Sequence, residues 1–192
     1  MIVIMRFDFS RFLAKLPSRK RRFAAGAEVL GIDATVENLY FVARGLVHLQ
    51  RVREDGEVVI LQRAEKGMIL AEASVFSTHY HCSAIALQQS ELLVYPMRAV
   101  QQQLSEAPEA ALAFARHLAI QVRIARKRAE ILALKTVHER LQAWLIWNHG
   151  VLPAKGKWHH VAEEIGVSKE ALYREMAKRR KQKGAMSGVN RL

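Results

Sequence analysis

Residues 161–176 read Val161-Ala162-Glu163-Glu164-Ile165-Gly166-Val167-Ser168-Lys169-Glu170-Ala171-Leu172-Tyr173-Arg174-Glu175-Met176. The order is helix, turn, helix. Val161, Ala162 and Ile165 give the first helix an inner face, and Gly166 supplies the tight turn. Ser168 is a natural N-cap, and Glu170 in the first turn suits the helix dipole. Leu172 and Met176, four residues apart, turn inward against Val161 and Ile165. Glu170, Tyr173 and Arg174 then point the opposite way, and Lys169 projects from the N-terminal end. A recognition helix needs this layout, because its first residues must reach base edges while its back packs on the preceding helix. Arg is the commonest bidentate partner of guanine, and a carboxylate accepts from cytosine. A plain helical hairpin with a solvated charged face is the alternative. The turn chemistry, the inner-face pairing and the basic flanks argue against it.

Those flanks are Lys155 and Lys157 on one side and the run Lys178–Lys183 on the other. Lys178, Arg180 and Lys181, with the two loop lysines, are candidates to neutralise phosphates of double-stranded DNA. The whole chain of 192 residues carries 30 Lys+Arg against 18 Asp+Glu, a net +12. Half of that excess falls in residues 155–192. A polyphosphate partner fits this balance, and an anionic membrane surface would fit the charge alone.

Upstream, residues 137–148 read as a helix anchored by Leu141, Trp144, Leu145 and Trp147 and ended by His149-Gly150 and Pro153. From Ala107 to Lys135 there is no Gly, and the only Pro is Pro108, at the start. Ala115, Leu118, Val122, Ala125, Ala129 and Leu132 alternate three and four apart, a seam of nearly three heptads. Such a helix packs either on its own β-domain or on a second copy. Arg116, Arg123, Arg126, Lys127 and Arg128 leave only a narrow apolar stripe, which favours a homodimer.

Residues 20–98 read as short strands punctuated by Gly26, Gly31, Gly45, Asp55-Gly56 and Gly67. That spacing suggests a barrel, jelly roll or sandwich. Asp55-Gly56 between Leu46–Arg53 and Val58–Gln62 predicts a type I′ hairpin in which Val52 faces Val59.

In this order, the chain resembles the CRP/FNR family of bacterial regulators over about residues 20–180. The N-terminal words are Phe23-Ala-Ala-Gly26-Ala-Glu28, Leu39-Tyr40-Phe41-Val42 with Gly45, and Asp55-Gly56-Glu57-Val58-Val59. In the C-terminal half, Gly166-Val-Ser-Lys-Glu-Ala-Leu-Tyr-Arg174 looks like the family's recognition helix, with Lys169 where Arg is common. The resemblance implies an α+β architecture. An N-terminal β-roll of the double-stranded β-helix or jelly-roll type comes first. A long dimerisation helix and a C-terminal winged helix-turn-helix follow. The expected division is 1–106, 107–135 and 136–192. The resemblance also implies that Lys169, Glu170 and Arg174 contact bases and that RNA polymerase is a further partner.

Two departures stand out. Members that bind cyclic AMP hold its phosphate with a Gly-Glu segment and an Arg-Ser pair. Here those positions read Ala71-Glu72-Ala73 and Cys82-Ser83. Glu72 remains for a ribose hydroxyl, but the charge that would hold a phosphate is gone, so cyclic AMP is not the expected effector. After the recognition helix, residues 184–192 barely supply one strand, so a short or absent wing is expected.

Cys82 is the only cysteine, which excludes an internal disulfide and a four-cysteine iron–sulfur site. It suits a reducing compartment. The apolar run Met1–Met5 is too short for a signal-peptide core or a membrane span, so the cytoplasm is the expected location, with no membrane partner. His79, His81 and Cys82 near Glu72 are candidate metal ligands, with His48 able to join, or the surroundings of a redox-responsive thiolate. Against the metal, His81 and Cys82 face opposite sides of a regular strand. No nucleophile–base set or phosphate-cradling loop marks an enzyme. The functional expectation is a homodimeric regulator controlled by an effector in the roll. The alternative is a small-molecule- or metal-binding β-roll acting through protein contacts, with a vestigial helix-turn-helix.

Overall fold

The alternation of apolar and polar residues between 19 and 96 folds into eight strands. In the structure, a computed structural model, residues 9–56 and 58–189 are described, the last nine of them by their backbone alone. The strands are β1 (Arg19–Phe23), β2 (Glu28–Leu30), β3 (Asn38–Arg44), β4 (Leu46–Val52), β5 (Val58–Glu65), β6 (Ile69–Leu70), β7 (Ser83–Ala86) and β8 (Ser90–Pro96). They form two antiparallel four-stranded sheets, ordered β1-β8-β3-β6 and β2-β7-β4-β5. Side chains on one face of each strand interdigitate between the sheets, where Val42, Val47, Ala84, Leu92 and Val94 are fully buried. This is the expected β-roll.

Two compact units divide the chain, residues 6–119 and 120–192, and the division falls inside a helix. In the first unit, α1 (Phe9–Leu13), α2 (Met97–Glu106) and the start of α3 (Pro108–Ala133) build a second core. Phe9, Leu13, Leu39, Val100 and Phe114 are buried in it. The second unit holds the rest of α3 with α4 (Val137–Trp147), α5 (Trp158–Glu164) and α6 (Lys169–Val189). Its core is Ile131, Leu141, Trp144, Val161, Ile165, Leu172 and Met176, which joins both faces of the helix-turn-helix as the spacing required.

Two expectations are corrected. Val52 pairs with Val58, not Val59, and Arg51 takes the place opposite Val59. The register slips at a bulge between Leu49 and Gln50. The turn is also not type I′. Of Asp55 and Gly56, only Gly56 has a positive φ, 81°, and its N–H donates to the Arg53 carbonyl at 2.9 Å. At the tail, where a short or absent wing was expected, the backbone of α6 continues as helix to Val189. Ala185 and Met186 are strong helix formers, and two glycines four apart do not outweigh them.

Gly45 joins β3 to β4 at φ 102°, and an added Cβ would stand 2.2 Å from Ser90 Oγ and 2.6 Å from Ser90 Cα. Ser90 is buried, and its hydroxyl accepts from the Leu46 N–H at 3.2 Å and donates to the Gln88 carbonyl at 2.8 Å. Gly45→Ala should therefore lower unfolding free energy by about 2–4 kcal/mol, from backbone strain plus overpacking. Urea denaturation of both proteins measures this, and equal midpoints would contradict the tight turn.

Candidate nucleic-acid interface

The recognition helix starts where its local chemistry says it should. Ser168 Oγ accepts from the Ala171 N–H at 3.1 Å, capping α6. Hydrogen bonds from its own backbone N–H and from the Ser168 hydroxyl hold the Glu170 carboxyl below its ordinary range. Leu172 and Met176 are buried beneath this turn. Ser168, Lys169, Glu170, Arg174, Lys178 and Arg180 are exposed, and Arg174 has no ion pair among the described residues. The outward side of α6 is therefore a charged face with a buried back.

Lys155 and Lys157 lie in a short 3-10 turn ahead of α5, both exposed. Tyr173 departs from its expected role. It is half-buried, its ring lies 5.2 Å from that of Trp158, and its hydroxyl donates to the Lys155 carbonyl at 3.1 Å. It holds the basic loop against α6 instead of standing out with Arg174. Arg180 lies over the Trp158 ring at 5.8 Å. The side chain of Lys181 falls outside the described residues.

The turn itself is held by a residue that sequence reading missed. Arg140 on α4 donates from Nε to the Leu134 carbonyl (2.8 Å) and from Nη2 to Leu132 (3.0 Å), at the end of α3. Its Nη1 reaches the carbonyls of Ile165 (3.2 Å) and Gly166 (2.9 Å), at the turn. One guanidinium thus fills acceptors left open at two helix ends. Gly166 sits at φ 62°, and a Cβ there would meet Leu132 Cδ2 at 2.6 Å. Thr136 and Glu139 form a capping box that starts α4 beside it. That box was legible as Thr-x-x-Glu. A contact from Arg140 to a residue 26 positions on was not.

Within the β-roll, Glu72 opens a 3-10 turn (Glu72–Ser74) after Ala71, which is left-handed at φ 65°. Glu72 is buried, with Gln62 Nε2 at 3.4 Å its hydrogen-bond donor, and burial pushes its pKa up to about 7. Cys82 is 1 % exposed, and burial raises its thiol pKa against the opposing pull of Arg51. Ser83 is half-buried, and its hydroxyl donates to the Gln50 carbonyl at 3.4 Å. A cyclic nucleotide carries a phosphate that needs a cation. A buried neutral thiol at 82 does not supply one, so the phosphate does not fit there in the Arg-Ser manner.

Nor does a metal site assemble. Among the described residues, no three His, Cys, Asp or Glu side chains gather as ligands. His79 is exposed with Nδ1 2.9 Å from Thr78 Oγ1, His81 is exposed with Nδ1 3.4 Å from Ser74 Oγ, and Cys82 turns into the core. Burial separates the thiol from the two exposed imidazoles in the segment ahead of β7. A thiol whose pKa is raised by burial is also the opposite of a reactive thiolate.

The chain is thus a β-roll followed by one long helix and a helix-turn-helix. The comparisons agree with this order. Residues 20–107 match the family described as the cyclic nucleotide-binding domain. The global nitrogen regulator of Nostoc sp. is 29% identical over 162 residues, covering 77% of this chain and 72% of the relative. That of Synechococcus elongatus is 26% identical, covering 69% of this chain and 61% of the relative. FixK2 from Bradyrhizobium japonicum superposes with a TM-score of 0.72 at 18% identity, covering 87% of this chain and 86% of that one. The c-di-GMP responsive global regulator CLP of Xanthomonas campestris does so at 0.65 and 21%, covering 90% of each chain. At such identities these two likenesses speak for the fold alone. Residues 20–107 thus form a β-roll of the cyclic nucleotide-binding type, and the chain is similar to the global nitrogen regulators over most of its length. No helix among the described residues is long and apolar enough to cross a membrane.

Two outcomes follow from these geometries. Glu72 holds its proton more tightly folded than unfolded, so stability should fall as pH rises from 4.5 through about 7. The loss is on the order of 3 kcal/mol. Glu72→Gln should flatten it in urea melts run across that range, and parallel losses in both proteins would contradict the assignment. Arg140→Ala should cost about 1–3 kcal/mol, because four carbonyls, two of them part-buried, lose a charged donor. Arg140→Lys should recover less than half, since one ammonium cannot span two helix ends. Full recovery by Lys would show that charge alone matters.

Proposed function

We propose that this chain is a transcription regulator that binds double-stranded DNA sequence-specifically as a homodimer, under the control of an effector other than cyclic AMP. The observation that carries the reading is the outward side of α6. Lys169, Glu170 and Arg174 stand exposed on it, while Leu172 and Met176 lock its back onto α5. In the major groove, Lys169 and Arg174 are donors to guanine and Glu170 an acceptor from cytosine. Lys155, Lys157, Lys178 and Arg180 lie at both ends of that face and suit phosphates.

The dimer reading rests on α3. Of the seam, Ala115, Ala125 and Ala129 are exposed, Val122 is 46% and Leu132 37% exposed, and Leu118 is half-buried. A single chain leaves this apolar stripe uncovered, and a second copy would cover it. Residues 1–106, 107–135 and 136–192 then act as sensor, dimerisation helix and DNA-binding part. An effector in the roll would favour one setting of the two recognition helices over another, a population shift. RNA polymerase is the partner through which such a setting would be read, and the cytoplasm is where this occurs.

The reading is tested by selecting bound duplexes from a random pool and repeating the selection with Arg174→Ala. The expected consensus is a near-palindrome. The variant should lose about 1–3 kcal/mol at one base pair per half-site and become indifferent to it. An unchanged consensus with unchanged affinity would remove Arg174 from the groove. Weak association without any consensus would favour a β-roll module working by protein contact.

A further inference from the structure

Strand β1 carries four consecutive basic residues, Arg19, Lys20, Arg21 and Arg22, all exposed. Pairing fixes where two of them go. Arg22 lies opposite Glu91 of β8, and Arg44, at the end of β3, lies opposite Glu91 from the other side. Paired residues share a face of the sheet, so Arg22, Glu91 and Arg44 form a row across three strands. Lys20 Nζ reaches Glu91 Oε1 at 3.2 Å, and Arg22 Nε reaches Oε2 at 3.3 Å. Both oxygens of Glu91 are thus engaged from β1, and those contacts keep its carboxyl below the ordinary range. Arg44 has no ion pair among the described residues. The face has three cations around one anion.

This row borders a cleft of about 410 Å³ reached also by Gln88 and Gln89 in the turn between β7 and β8. Its wall at Gly45 has no side chain, because the backbone there is pressed onto Ser90. Ser90 fixes both neighbouring turns, through Leu46 and through the Gln88 carbonyl. The two arginines are therefore held on a rigid, concave base, which lowers the cost of ordering them around a ligand. The size falls in the range of small-molecule sites, and the polar lining excludes an apolar ligand. Guanidinium forks match phosphate oxygens two at a time. A duplex would instead need cations spread along a length of its backbone to neutralise many phosphates.

We propose that the cleft between Arg22, Arg44, Gln88 and Gln89 is a binding site for a phosphorylated small molecule. Arg44 and Arg22 take the phosphate oxygens, and the two glutamine amides donate to the remaining acceptors. The site is separate from the roll interior around Glu72 and Cys82. It does not depend on whether α6 reads DNA.

The test is a titration of the full chain with pyrophosphate at physiological salt, following backbone amide resonances by NMR. The amides of Gly45 and Ser90 should shift saturably below about 1 mM. Glucose 6-phosphate should shift the same amides, and glucose should not. Arg44→Ala should weaken binding at least about tenfold and Arg44→Lys by less, while Arg174→Ala should bind as the parent does. Thermal melts confirm that the Arg44 variants remain folded, since this side chain supports no described ion pair. Absence of a saturable shift at about 10 mM, or equal binding by Arg44→Ala, would overturn the proposal. So would a response at Gly45 to a DNA duplex without one to pyrophosphate.

Discussion

One guanidinium closes the turn on which the proposed DNA-reading face is built. Arg140 gathers four carbonyls from the end of α3 and the start of the turn, at 2.8 to 3.2 Å. Helix ends expose acceptors that must find donors, and four of them meet at this point. With Gly166 free of a side chain, Leu132 fills the space a Cβ would take. The angle between α5 and α6 therefore depends on where α3 ends. Leu132 is also the last residue of the apolar seam. The helix face proposed to meet a second copy and the turn ahead of Lys169 and Arg174 share one side chain. A change in the pairing of α3 would be felt directly at the turn, without a longer relay.

The β-roll keeps a different chemistry. Its interior near Glu72 holds one carboxyl, protonated only below about pH 7, and one thiol, both disfavoured as anions by burial. Such an interior suits a ligand with hydrogen-bonding groups and little charge. Arg51 is the cation beside Cys82, and a separate group of cations lies on β1 and at Arg44. Charge and shape thus separate two surfaces of one roll that composition alone cannot distinguish.

Much of this was legible from the sequence, because its signals were local. Gly166, Ser168 and the pair Leu172/Met176 lie within eleven residues and fix the turn, the cap and the buried face. The seam on α3 was legible for the same reason, as a spacing along one helix. What escaped depended on partners far along the chain. The slip that pairs Val52 with Val58 arises where β4 is held between β5 and β7, and no hairpin rule contains the third strand. Tyr173 read as outward from its helix position, but Trp158 and the Lys155 carbonyl draw it in. The metal reading of His79, His81 and Cys82 rested on nearness in sequence, and burial of Cys82 away from the two exposed histidines undid it. The tail read as too short for a full wing, and the backbone of α6 runs through it as helix to Val189.

The central claim is that two copies of the α6 face enter one duplex side by side. Hydroxyl-radical footprinting on a selected duplex tests it most directly. The account predicts two protected patches on one face of the DNA, about one helical turn apart and related by two-fold symmetry. A single patch, or protection that follows no symmetry, would contradict it.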